Sequence, residues 1–85
     1  MKELLKALKE AEERTNKADA AWDAEPENEA LEAAFDEAYN AEHEVFENLV
    51  NEIVKATSGK IDTKTAVTMI RSKRKELEAL IGMMA

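Results

Sequence analysis

The sequence predicts an all-α protein, an antiparallel three-helix bundle with a long central helix. Three observations carry this. Of 85 residues only two are Gly and one is Pro, fifteen are Ala, and 36% are charged. Such a composition favours helix almost throughout. Two breaks, around Pro26 and around Gly59, then cut the chain into three stretches, each with apolar residues at helical spacing. The helices are expected near 2–24, 27–57 and 62–82, in a single domain over 1–85.

The first break is Asp23-Ala24-Glu25-Pro26-Glu27-Asn28. Proline disfavours the α conformation in the residue before it, so the first helix should stop by Glu25. Pro26 suits the first turn of the next helix, where its missing N–H is not needed. The second break is Ser58-Gly59-Lys60-Ile61-Asp62. Gly59 can take the left-handed conformation that closes a helix, and Asp62 is a good N-cap for the next. Gly82 is expected to end the third helix.

The first helix carries one stripe, Leu4, Leu8, Ala11, Thr15, Ala18 and Trp22. The second has two apolar edges, Leu31-Ala34-Ala38-Ala41-Val45-Leu49 and Phe35-Tyr39-Phe46-Val50-Ile53-Val54. The third reads Val67, Ile70, Arg74, Leu77, Ile81 and Met84. A single stripe faces one neighbour and a wide surface faces two, so the second helix is expected at the centre. Folding at Pro26 sets Ala18 near Ala34, Thr15 near Ala38, and Leu4 and Leu8 beside Val45 to Leu49. The bulky core should gather where all three helices overlap, leaving the Pro26 end thin. So small a core suggests self-association as a supplement to stability.

Several function classes are excluded. Without Cys there is no disulfide, thiol catalysis or Cys-bound metal, and one His gives no multi-histidine site. No apolar run is long enough to span a bilayer, and the charged start MKELLKALKE is not expected to act as a secretory signal. A cytoplasmic location is expected, with no membrane partner.

Charge is unevenly placed. The net value is −7, yet from Ala18 to Val54 there is no Lys or Arg and there are twelve acids. From Lys55 onward seven bases face three acids. Acidic and basic helices placed side by side attract, so the asymmetry can simply fix helix pairing. It can also be a binding face: Glu25, Glu29, Glu32, Asp36, Glu44 and Glu47 would steer a basic partner. Glu42 and Arg74 sit on or beside apolar stripes and are within reach of a part-buried pair.

Candidate chemistry is thin. His43 lies between Glu42 and Glu44, but the Glu-x-x-His spacing of di-iron bundles is absent, because position 40 is Asn40. Glu32, Asp36, Glu44 and Glu47 are of the type that holds magnesium in helical nucleotide hydrolases. Those need a facing acidic motif, and the third helix offers only Glu76 and Glu78. No catalytic residue, metal or cofactor is expected. Arg71, Lys73, Arg74 and Lys75 form a short basic run that could touch phosphates. They wrap around the helix and have no aromatic companion, so nucleic acid is not the expected partner. Leu80, Ile81, Met83 and Met84 make an apolar tail. It can serve as an adaptable contact surface or pack on Leu31 and Phe35 at the thin end.

The stretch Gly59-Lys-Ile-Asp-Thr-Lys-Thr-Ala66, with Met69-Ile70-Arg71 and Lys73-Arg74-Lys75-Glu76-Leu77, resembles short reading frames of Gram-positive phages and prophages. The AEPENEALEAAF segment gives a similar likeness, and together they cover about half the chain. Such small helical proteins, where a role is assigned, often bind and inhibit a host protein, sometimes by imitating DNA. The resemblance transfers no functional residue. The expectation is a non-enzymatic interaction module that binds a basic protein through its acidic surface. The alternatives are an assembly protein forming a helical homo-oligomer, and a regulator that uses the basic run on nucleic acid.

Overall fold

A computed structural model of the chain describes residues 1–84 and is all-helical. Helix α1 spans Lys2–Ala24, α2 spans Glu29–Ala56, α3 spans Thr63–Ser72 and α4 spans Arg74–Met84. The third expected helix is thus two elements, parted at Lys73, where φ is −131° and ψ is 45°. Gly82 does not end the last helix, which runs through it to Met84. Ala85, the end of the expected apolar tail, lies outside the described residues.

The first turn starts later than Pro26 alone suggests. Pro26 lies in the turn itself, with Asn28 N–H donating to the Glu25 carbonyl at 3.0 Å. Pro is favoured at this second turn position because its ring presets φ. Asn28 then caps α2: its side-chain oxygen accepts from Ala30 N at 3.0 Å and Leu31 N at 3.3 Å. Trp22 Nε1 donates to the Pro26 carbonyl at 3.2 Å and ties the turn to α1.

At the other end, Ser58 N–H donates to the Lys55 carbonyl and Gly59 N–H to the Val54 carbonyl. This is a Schellman closure with Ser58, at φ 53°, in the left-handed position that sequence reading gave to Gly59. Gly59 follows at φ 81°. Two consecutive left-handed residues turn the chain sharply, and Gly takes the second without a Cβ penalty. Thr57 Oγ1 donates to the Ile53 carbonyl at 2.8 Å and accepts from Ile61 N at 3.2 Å, bracing the loop. Asp62 caps α3 by accepting from Thr65 N at 2.8 Å, as expected.

Helices α1 and α2 form a long antiparallel hairpin. Trp22 meets Phe35, Arg14 meets Glu37, and Leu8 lies with Phe46, a register close to the one read from the turn. Helix α3 runs back along the end of α2, from Thr63 beside Asn51 to Arg71 over Phe46. Helix α4 then descends α1, from Arg74 at Glu12, past Glu78 at Lys9, to Met84 near Met1. The core lies where these four meet: Leu5, Leu8, Leu49, Val50, Ile53, Ala66, Ile70, Leu77 and Ile81. Leu5, rather than Leu4, is the buried partner of Leu8. The chain extends 46 × 19 × 18 Å, so the rest of the hairpin projects as an arm toward Pro26. No helix is long and apolar enough to cross a membrane among the described residues.

Leu77 is wholly buried and belongs to the element whose direction the break sets. Leu77→Ala should lower stability by about 3 kcal/mol, because the lost burial is compounded by a cavity. Urea denaturation followed by circular dichroism checks this.

Candidate functional site: the acidic arm and the elbow at Lys73

Each acidic residue singled out from sequence is exposed: Glu25 in the turn, and Glu29, Glu32, Asp36, Glu44 and Glu47 along α2. They do not form one row. Helical spacing sets Glu29, Asp36 and Glu47 on the side away from the core, with Glu32 and Glu44 to either side. Two acids of α2 make side-chain contacts with basic groups among the described residues. Glu37 forms an ion pair with Arg14 at 3.5 Å, and Glu47 lies 3.1 Å from His43 Nε2. Both pairs are solvent-exposed and contribute little.

The expected attraction between an acidic second helix and a basic third helix takes another form. The ion pairs made by α4 go to α1: Lys9 Nζ to Glu78 Oε1 at 2.6 Å, and Arg74 to Glu12. The Arg74 partner is therefore Glu12, not Glu42. Nη1 and Nη2 donate to the two Glu12 oxygens at 2.8 and 3.1 Å, while Nε donates to the Ile70 carbonyl at 2.8 Å. One planar guanidinium thus caps the end of α3 and clamps α4 to α1. Its hydrogen bond to Glu12 raises the Arg74 pKa above its ordinary value. The Lys9 hydrogen bond and charge lower that of Glu78. Hydrogen bonding from Thr65 lowers that of Asp62.

A cleft of about 300 Å³ opens beside this clamp. Leu8 and Phe46 form its apolar wall, and Tyr39, His43 and Glu42 its edge on α2. The Arg71 guanidinium lies 5.2 Å from the Phe46 ring centroid, a cation–π contact. Partial burial, and then the nearby Glu12 charge, raise the Glu42 pKa. Among the described residues no group of three or more His, Cys, Asp and Glu side chains is placed to hold a metal.

The basic run is divided. Arg71 lies on Phe46, Arg74 is engaged with Glu12, and Lys73 and Lys75 are exposed at the elbow. The apolar tail is divided too. Ile81 is buried in the core and Leu80 half-buried, whereas Met83 is 84% exposed and Met84 39%. The tail lies near Met1, Lys2 and Glu3, at the end opposite Leu31 and Phe35, because the break at Lys73 turns α4 back.

Sequence reading assigned Phe35 and Tyr39 to a core edge. Here they form an aromatic ladder on the arm, with Trp22 5.4 Å from Phe35 and Phe35 6.1 Å from Tyr39. Tyr39 is 53% exposed. The i, i+4 spacing gave the contact; only the missing third layer makes it a surface. Comparison with protein-family models, with curated proteins and with solved structures returns no match.

Arg74→Lys should destabilise the fold by about 1 kcal/mol although charge is kept, because an ammonium cannot make the forked contact. Thermal unfolding checks it. Glu42→Gln should raise stability at neutral pH by less than about 1 kcal/mol, since a half-exposed group is screened. With the folded pKa above the unfolded one, the native state binds more protons in the window between them. Stability therefore falls as pH rises through that window, and the variant's advantage should vanish below the ordinary carboxylate range. Denaturation midpoints from acid to neutral pH measure this.

Proposed function

We propose that this chain is a non-enzymatic protein-interaction module whose acidic hairpin arm docks a basic protein. The observation that carries this reading is the arm itself. The hairpin projects beyond the four-helix end, and residues 13–42 hold ten acids against two bases, Arg14 and Lys17. Folding does not require so long an arm, since the core lies at the other end. A strongly net-negative field on a narrow rod attracts an oppositely charged partner and raises its association rate. On the wide end, α3 and α4 together take the place of one third helix in a three-layer antiparallel bundle. That end acts as the base from which the arm is presented. The resemblance to small phage and prophage proteins supports a host-protein inhibitor or regulator as the biological form of this activity.

A second reading is a helical homo-oligomer joined at the opposite end. Exposed Met83 and Met84 beside Met1 favour it, as flexible apolar side chains suited to a contact. A nucleic-acid role draws less support, because Arg71 and Arg74 of the basic run are already engaged.

The test is the triple change Glu29→Gln, Glu32→Gln and Asp36→Asn. All three residues are exposed, so the helical signal should persist and stability should move by no more than roughly 1 kcal/mol. Proteins captured from a host lysate by the native chain should be basic. Their association should slow by about tenfold or more with the triple variant, and less at high salt. Capture unchanged by the variant and insensitive to ionic strength would remove the acidic arm as the binding surface.

A further inference from the structure

The stripes that seat α3 and α4 continue past those helices. On α1 the residues meeting α4 are Leu5, Lys9 and Glu12. Spacings of four and three extend this stripe through Asn16, Asp19 and Asp23, which therefore lie on the same side of the helix. On α2 the residues beside α3 are Val50, Phe46 and His43. The same spacing extends them to Tyr39, Phe35 and Glu32. Between the two extended stripes runs a seam, from the elbow at Lys73 to the Pro26 turn.

Its floor is apolar and closed. Ala38 is buried, Leu31 and Phe35 are half-buried, and the buried Thr15 hydroxyl donates to the Ala11 carbonyl at 3.0 Å, so it needs no outside partner. Its rims are acidic and exposed, with Asp19 and Asp23 on α1 and Glu32 on α2. Exposed Tyr39 and part-buried Glu42 stand at the inner end. Residues 13–24 of α1, beyond the reach of α4, give the seam a length of about 18 Å, or three helical turns.

We infer that this seam seats one basic amphipathic helix of a partner protein, in the layer that α3 and α4 fill on the other half of the hairpin. The inference rests on the acidic-arm reading and names its partner's form. A helix is the fitting occupant because the same two stripes already receive helices nearer the core. It is basic because its apolar face would meet Leu31, Phe35 and Tyr39 while its flanks meet carboxylates on both sides. A second copy of this chain does not supply it. Its basic segments, α3 and α4, already bury their apolar faces through Ala66, Ile70, Leu77 and Ile81. Two arms would also set acidic rim against acidic rim.

Trp22, the only tryptophan, packs on Phe35 and gives the readout. The probe is a synthetic peptide of about 14 residues of Leu and Lys, with Leu at helical i, i+3, i+4, i+7 spacing. The control has the same composition in scrambled order. The patterned peptide should shift Trp22 emission and bind about tenfold or more tighter than the control. Combining Asp19→Asn, Asp23→Asn and Tyr39→Ala should remove most of that difference with the circular dichroism spectrum unchanged. Changing Glu29 and Glu44 to Gln, away from the seam, should leave the preference in place. Equal, salt-sensitive binding of both peptides would overturn the seam while the acidic-arm reading stood. Binding of neither would overturn both. Sedimentation showing a dimer that Tyr39→Ala dissociates would assign the seam to a second copy and overturn the partner helix.

Discussion

Arg74 joins three parts of the chain with one side chain. Its Nε donates to the Ile70 carbonyl, which is left without a helical partner where α3 stops, and its two terminal nitrogens grip both oxygens of Glu12. The charge-assisted fork is stronger than neutral bonds, and the pair is only part-exposed, so water competes less for it. The clamp fixes the elbow at Lys73 and sends α4 back along α1. The consequence reaches the far end of the molecule. A straight third helix would cover the hairpin toward Pro26; the folded-back one thickens the core and leaves the arm bare.

The two halves of the hairpin therefore follow different physics. At the base, Leu8, Leu49, Ile53, Ile70 and Leu77 are almost wholly buried, and apolar burial dominates the energetics. Along the arm, two helices alone bury Ala38 and Thr15 and half-bury Leu31, Phe35 and Trp22. Small residues allow close approach there but supply little burial. The uncompensated carboxylates add like-charge repulsion along α2, at a cost to the arm's own stability. Local stability is expected to fall from base to tip, as it does wherever buried apolar contacts thin out. A partner that neutralises the acids and covers the aromatics stabilises what it binds by mass action.

The Glu42 position joins the two regimes. It lies at the inner end of the arm, beside Glu12 and yet outside the Arg74 fork, so its charge is opposed by burial and by a like neighbour. Such a group is better accommodated when a cation arrives. The elbow is thus both the anchor of the core and the inner boundary of the acidic surface.

Much of this was legible in the sequence, and the reason is locality. Helical class follows from Ala content and the scarcity of Gly and Pro, and the Asp62 cap acts within three residues; sequence reading passes over the equally local Asn28 cap in favour of Pro26. Hairpin register follows from a short turn, and the exposure of the acids from their distance from the apolar stripes. The break at Lys73 has no such local mark: the apolar period runs through it, and no Gly or Pro stands there. It depends on an Arg74 contact with a residue 62 positions away, which local propensity does not encode. Arg74 within an apolar stripe was its one trace, read as a pair with Glu42. By itself the sequence determined that the chain is helical, where its two main turns fall and the sign of the charge along it. Only the tertiary structure decided which helix faces were covered, because a bare face results from where another helix goes, and that direction is set by long-range packing and one forked ion pair.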